Sequence, residues 1–164
     1  MTRCYILFGS NQGDKKVLLE EACRQIEIHC GMLAERSSGY LSEPWGFEAE
    51  EWFLNALLVV ETELEPDALM DALMKIEAAL GRVRDPKAKG YRSRTVDLDI
   101  LYYGDHVVRT EKVIAPHPRL HLRRFALMPL CELVPDFLHP EFHVSQQELL
   151  ENCSDTSKVY VSLP

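Results

Sequence analysis

Apolar residues along the chain follow two rhythms, and the switches between them predict the elements. Cys4-Tyr5-Ile6-Leu7-Phe8 is a continuous apolar run that stops at Gly9-Ser10-Asn11, the pattern of a strand followed by a turn. Leu19, Cys23, Ile26 and Cys30 then recur at helical spacing, with Leu18 and Ala22 beside them. Asp14 is placed to cap that helix and Gly31 to end it. Residues 32–40 are less regular but fit a strand before the loop Ser42-Glu43-Pro44-Trp45-Gly46. Phe53 to Glu61 is apolar and rich in Leu and Val, which suits a buried strand. Pro66 suits the first position of a second helix, whose Leu69, Leu73, Ile76 and Leu80 share one face and whose stop is Gly81. Residues 82–94 carry too many charges and too little periodicity for a packed element. Val96 to Tyr102 alternates and is β-prone, and Gly104-Asp105 reads as a hairpin turn into His106-Val107-Val108. The remainder, rich in Pro and His, carries a short helix around Pro129 to Leu133 and a polar C-terminus. Helices alternating with strands predict a two-layer α+β sandwich, with helices on one face of a largely antiparallel sheet. No internal repeat or linker divides the chain, so residues 1–164 are expected to form one domain.

Composition narrows the class. The chain has 164 residues, enough for one domain with a real core. Lys and Arg number 18 against 26 Asp and Glu, a net charge of −8 whose mean field repels nucleic acid and anionic membrane. No apolar run approaches the roughly 18 residues that span a bilayer, and the opening run is too short for a signal-peptide core. A cytoplasmic protein with neither nucleic-acid nor membrane partner is expected. The five cysteines, Cys4, Cys23, Cys30, Cys131 and Cys153, are odd in number and lack metal-ligand spacing, so they read as small reduced hydrophobes.

Asp97 and Asp99 are the sharpest local feature. Residues two apart on a strand share a face, which sets the carboxylates roughly 6.6 Å apart along the chain. Such a pair can supply oxygens to a magnesium ion that takes its other ligands from substrate phosphates. On the Asp-x-Asp pattern alone, a solvent-facing strand that carries acids is the commoner reading. The stretch before it shifts that balance, because Arg82, Arg84, Lys87, Lys89, Arg92 and Arg94 crowd into one loop of an otherwise acidic chain. Guanidinium groups bind phosphate bidentately and offset charge that builds up in phosphoryl transfer. Acids for a metal and arginines for phosphate together describe a metal–polyphosphate site. Gly9 to Asp14 lacks the Gly-Lys-Ser/Thr ending of a P-loop, and a tight turn with a helix cap is its better reading. His117, between two prolines, could reach a phosphate, although a lone histidine is more often structural. Trp45, Phe53 and Phe125, with Asn55 on the same strand face as Phe53, could hold a flat heterocycle between rings and meet its edge with an amide. Ordinary core aromatics are the alternative.

These residues resemble the 6-hydroxymethyl-7,8-dihydropterin pyrophosphokinase family, in order along most of the chain. The matching stretches are Phe8 to Asp14, Pro44-Trp45-Gly46, Phe53-Leu54-Asn55-Ala56, Ile76-Glu77 and Gly81-Arg82-Val83-Arg84. Arg94-Thr95-Val96-Asp97-Leu98-Asp99-Ile100-Leu101, the most specific, and Pro116-His117-Pro118-Arg119-Leu120 with Phe125 complete the set. The resemblance implies a ferredoxin-like α+β fold and a usually monomeric enzyme. It implies transfer of the β,γ-pyrophosphoryl group of ATP to the hydroxymethyl oxygen of the pterin, releasing AMP, in folate biosynthesis. Asp97 and Asp99 would bind two Mg2+ ions. Arg82 and Arg94 would be the catalytic loop arginines that close on the phosphates, with Arg84 nearby. Glu77, Arg84, Lys112, His117 and Arg123 would line the ATP site. Phe53 and Phe125 would sandwich the pterin, Asn55 would hydrogen-bond its edge, and Ser42 and Trp45 would contribute largely backbone contacts.

The chain departs from the family pattern at Arg92, where Gly or Ala is usual, at Tyr91, where Trp is common, and in a loop about two residues longer than the commonest form. Met74 stands one turn before Glu77, where a polar residue is frequent, and Pro118 replaces the common Tyr. These changes are expected to affect loop closure, rate or ATP affinity rather than reaction type. A non-catalytic small-molecule domain of the same architecture is the competing expectation, and it would leave the aspartate pair and the arginines idle.

Overall fold

The computed structural model describes residues 1–43, 52–81 and 95–162. The elements run β1 (Thr2–Ser10), α1 (Lys15–His29), β2 (Met32–Arg36), β3 (Gly39–Ser42), β4 (Phe53–Thr62), α2 (Pro66–Gly81) and β5 (Asp97–Tyr103). They continue with β6 (Val108–Arg109), β7 (Ile114–Ala115), α3 (Arg124–Leu133), α4 (Gln146–Glu151) and β8 (Val159–Ser162). The main sheet has the order β5-β1-β4-β3-β8, with β2 also paired to β4, and every pairing is antiparallel.

Local chemistry explains the helix ends. Asp14 accepts a hydrogen bond from the N–H of Val17, satisfying one of the donors that a helix start leaves open. Pro66 begins α2, where its missing N–H costs nothing. After α1 the chain passes so close to β4 that a Cβ on Gly31 would lie 2.2 Å from the carbonyl oxygen of Glu61.

The sheet divides two cores. Cys4, Ile6 and Phe8 of β1, Ala56, Leu58 and Val60 of β4, and Leu98 and Ile100 of β5 join the apolar faces of α1 and α2. The residues between them, Tyr5, Leu7, Leu57 and Val59, point the other way and pack with Leu120, Ala126, Leu127, Leu130 and Leu149. This is the period of two that strands impose. A register shift in the β1–β5 pairing opposes Tyr5 to Tyr102 and Ile6 to Ile100, so Leu101 is the extra residue of a bulge.

The α+β, ferredoxin-like class is the one expected, and α1 and α2 cover one face as the periodicity implies. The shorter α3 and α4 cover the second face as well. The short helix expected around Pro129 to Leu133 is the second half of α3, which starts five residues earlier at Arg124; Pro129, a residue that normally interrupts helices, lies buried inside it and masks that start. The run read as one strand over 32–40 is divided into β2 and β3, and Gly104, at φ +56°, turns the chain after β5. The segment read as a polar C-terminus contains β8.

Cys4, Cys23 and Cys30 pack in the first core, as hydrophobes do. Burial pushes the Cys4 thiol up to about 12 and the Cys30 thiol up to about 11. Among the described residues no helix is long and apolar enough to cross a membrane.

Candidate active site

Where β1 ends and β5 begins, the second core stops and a pocket of about 210 Å³ opens on the α3 side of the sheet. Its floor comes from β1, where Gly9 pairs with Asn55 of β4 on one side and with Asp97 of β5 on the other. Gly9 therefore separates an amide from a carboxylate. A Cβ on Gly9 would lie 3.5 Å from Asn55 Oδ1, so the missing side chain deepens the pocket at that point.

Asp97 and Asp99 line one wall. They alternate with Leu98 and Ile100, which are held in the first core, so burial of those two residues fixes both carboxylates on the pocket face. From the far end of α2, Glu77 Oε2 accepts the N–H of Leu98 at 2.7 Å. A third carboxylate thus secures the backbone between the two aspartates from the opposite face. Among the described residues no group of three or more His, Cys, Asp or Glu could by itself hold a metal ion. A donor set of two carboxylates suits a hard divalent cation that completes its shell with phosphate oxygens and water.

The opposite side carries an amide and two aromatic rings. Asn55 is 3% exposed, and its Nδ2 donates to Ser42 Oγ at 2.8 Å and to the Tyr40 carbonyl at 3.2 Å. Both amide hydrogens are used by the protein, which leaves Oδ1 as the acceptor for a ligand. Phe53 and Phe125 line the pocket with Ser42 and Glu43. The guanidinium carbon of Arg123 lies 5.7 Å from the Phe125 ring centroid, and its buried Nε has no hydrogen-bond partner among the described residues. A brace sets β3 against α3: Glu132 accepts the Tyr40 hydroxyl at 2.6 Å and the Ser38 N–H at 2.9 Å. Burial first, and Glu132 beside it, push the Tyr40 phenol above its ordinary range.

His117 follows a cis Ala115–Pro116 bond, and its N–H donates to the Leu101 carbonyl at 2.9 Å. Its Nδ1 accepts the N–H of Arg119 at 3.1 Å. Burial holds its pKa below the usual histidine range; Asp99 acts against that, while Arg123 and Arg119 reinforce it.

The pocket therefore gathers Ser42, Phe53, Asn55, Asp97, Asp99, Arg123 and Phe125 from the sequence reading. Glu77 stands behind the aspartates rather than in the lining, and His117 lies within electrostatic reach of Asp99 and Arg123. Lys112 sits between β6 and β7, outside the lining, with its Nζ held by Asp71 of α2 at 2.8 and 3.0 Å. Trp45, Arg82, Arg84 and Arg94 fall outside the described residues, as do Tyr91 and Arg92. Leu7, Gly9 and Glu43 line the pocket without having been singled out as site residues. Leu7 and Gly9 were accessible from the period of two along β1, and a glycine within a strand signals close approach. Glu43 carried no such signal.

The profile of the 7,8-dihydro-6-hydroxymethylpterin-pyrophosphokinase family matches residues 5–135. The chain is 40% identical over 139 residues to 2-amino-4-hydroxy-6-hydroxymethyldihydropteridine pyrophosphokinase of Methylorubrum extorquens, covering 84% of this chain and 86% of that one. The enzyme of the same name from Porphyromonas gingivalis is 37% identical over 142 residues, covering 86% of this chain and 96% of its own. A crystal structure of Plasmodium falciparum HPPK-DHPS superposes with a TM-score of 0.73 at 16% identity, which speaks for the fold alone. That superposition covers 92% of this chain but only 43% of the longer Plasmodium chain. The matched stretch contains every residue that lines the pocket, and by that match and those identities the chain belongs to the 7,8-dihydro-6-hydroxymethylpterin-pyrophosphokinase family.

Proposed function

We propose that the protein transfers the β,γ-pyrophosphoryl group of ATP to the hydroxymethyl oxygen of 6-hydroxymethyl-7,8-dihydropterin, releasing AMP, as a step of folate biosynthesis. The observation that carries this reading is the adjacency across Gly9: an aromatic pocket with an amide acceptor on one side, and a carboxylate pair on the other.

In this reading Phe53 and Phe125 hold the pterin ring, and Asn55 Oδ1 accepts a hydrogen from its edge. Ser42 keeps the amide from rotating. The hydroxymethyl group then points along the floor toward Asp97 and Asp99. Its oxygen attacks the β-phosphorus in line; the new O–P bond forms as the bond to the α-phosphate oxygen breaks, the electron pair leaves with AMP, and the alcohol releases its proton. Asp97 and Asp99 are the residues that would hold Mg2+, two ions in the family's manner, which supplies charge neutralisation on the triphosphate. Glu77 keeps the strand between them in place. Arg123 brings a cation to the same pocket, and positioning with electrostatics accounts for the rate without a strong base. Arg82, Arg84 and Arg94 are assigned to the phosphates, Lys112 and His117 to the ATP side, and Trp45 to the pterin, by resemblance. The same reading has a monomer acting in the cytoplasm, with ATP and the pterin as its partners.

The test is AMP formation with ATP, Mg2+ and 6-hydroxymethyl-7,8-dihydropterin. Pterin-dependent AMP that disappears on chelation of the metal is the expected result. Pterin binding without AMP would leave a binding domain, and ADP or pyrophosphate as product would place the chain in another class of transferase.

A further inference from the structure

A segment that supplies none of the pocket's lining, residues 155–162, holds its walls from outside. It touches the site in four places. Asp155 Oδ2 accepts the N–H of Arg124, the first residue of α3, which lies between Arg123 and Phe125. The N-cap residue Arg123 gives α3 no side-chain cap, so the cap comes from this distant carboxylate. The other oxygen of Asp155 accepts the N–H and the hydroxyl of Ser157, which rigidifies the bend that follows. At Lys158 the main chain bonds to Glu43 twice: the Glu43 N–H donates to the Lys158 carbonyl at 3.2 Å, and the Lys158 N–H donates to Glu43 Oε1 at 2.8 Å. Val159–Ser162 then pairs with β3, setting Val159 opposite Ser42. Finally, Tyr160 stacks on Trp52, with ring centroids 5.7 Å apart and planes at 13°, immediately before Phe53.

Each contact falls on, or next to, a different part of the ring-binding side: Phe125, Glu43, Ser42 and Phe53. None falls on Asp97 or Asp99. The family match ends at residue 135, so this segment lies beyond it. We propose that residues 155–162 form a belt that sets the spacing of the Phe53 and Phe125 walls and the Ser42–Glu43 rim, making Asp155 and Tyr160 positioning residues for the heterocyclic substrate. The proposal rests on the pterin reading above and deepens it. Asymmetry is its signature: loss of the belt weakens the pterin side and spares the nucleotide side.

The experiment measures dissociation constants for 6-hydroxymethyl-7,8-dihydropterin and for a non-hydrolysable ATP analogue with Mg2+, alongside KM, kcat and thermal midpoint. The variants are Tyr160→Ala, Tyr160→Phe and Asp155→Ala. Losing one ring stack or one cap is expected to weaken pterin binding roughly three- to tenfold. Analogue binding and kcat at saturating pterin are expected to stay within about twofold, and Tyr160→Phe to restore wild-type pterin affinity. Equal losses for both ligands, or a lowered midpoint with unchanged pterin affinity, would reduce the belt to a structural strut and overturn the proposal. Should Tyr160→Ala not fold, Tyr160→Leu and Asp155→Ala give the same comparison. A wild-type chain without pterin-dependent AMP formation would overturn the underlying function. Wild-type activity with pterin-neutral variants would overturn the belt alone.

Discussion

Removing the Asn55 side chain separates what the amide does for the fold from what it does for the ligand. In Asn55→Ala two buried hydrogen bonds disappear, to Ser42 Oγ at 2.8 Å and to the Tyr40 carbonyl at 3.2 Å. A buried acceptor left bare costs about 1–3 kcal/mol. The Ser42 hydroxyl can rotate to a new partner, and water from the pocket can reach the vacated space, so the net loss is set near the middle, about 2 kcal/mol. For a chain of this size that lowers the thermal midpoint by about 4–8 °C. The effect on the ligand is larger in proportion. With both amide hydrogens engaged, Oδ1 is the acceptor the side chain offers, and its loss strands a donor on the pterin edge. A cost of about 1.4–2.8 kcal/mol there is about 10- to 100-fold in affinity. Fluorescence titration of the pterin measures this directly, with ATP-analogue binding as the control, expected within about twofold of wild type. Asn55→Asp is expected to be worse than Ala for stability, since a carboxylate would then face the Tyr40 carbonyl oxygen. Pterin affinity unchanged in Asn55→Ala would refute the assignment of Asn55 to the heterocycle.

Other expectations follow from neighbouring geometry. Gly9→Ala puts a methyl group at ordinary contact distance, 3.5 Å, from Asn55 Oδ1, so the midpoint should barely move while the KM for pterin rises several-fold; an unchanged KM would remove Gly9 from the floor. Glu77→Ala deletes the acceptor for the Leu98 N–H and should cost about 1–3 kcal/mol in chemical denaturation while raising the Mg2+ concentration needed for half-maximal AMP formation. Glu77→Gln keeps an oxygen there and should lose less on both measures; equal Mg2+ curves for all three proteins would sever the link to the aspartates. Gly31→Ala drives a Cβ to 2.2 Å from the Glu61 carbonyl oxygen, so about 3 kcal/mol of stability should vanish, with kcat per folded molecule intact. A Gly31→Ala protein as stable as wild type would contradict the close approach of α1 to β4.

Strong periodicity made most of the fold legible. The face Leu69, Leu73, Ile76 and Leu80 is the set that α2 buries, and Asp14 caps α1 as its position suggested. Asp97 and Asp99 could be assigned to one face because the alternation with Leu98 and Ile100 leaves no other register with an apolar core. The second face was harder to read because Pro129 masks the start of α3, and because β8 is only Val-Tyr-Val set among polar residues. Such short strands are specified by the partner they meet rather than by their own sequence. The roles of Glu77 and Lys112 show the same limit. The resemblance puts both near ATP, whereas Glu77 bonds to the Leu98 backbone and Lys112 to Asp71, relations between distant residues that spacing along the chain does not encode.

The floor and the rim of the pocket also differ in how readily their backbones should open. Gly9 and Asn55 lie on strands flanked on both sides in the middle of the sheet, so their amides should exchange with deuterium only when the whole molecule unfolds. Ser42 ends the four-residue β3, whose outer neighbour β8 is itself the last strand, half exposed at Tyr160 and Val161. Amides there should exchange through a smaller opening of lower free energy, one that detaches β8 and leaves β1, β4 and β5 intact. A bound ring would close that opening from within. Exchange at Leu41, Ser42 and Tyr160 should then slow with ligand concentration while exchange at Ile6 and Leu58 stays where it was, giving a residue-by-residue record of occupancy that needs no catalytic turnover.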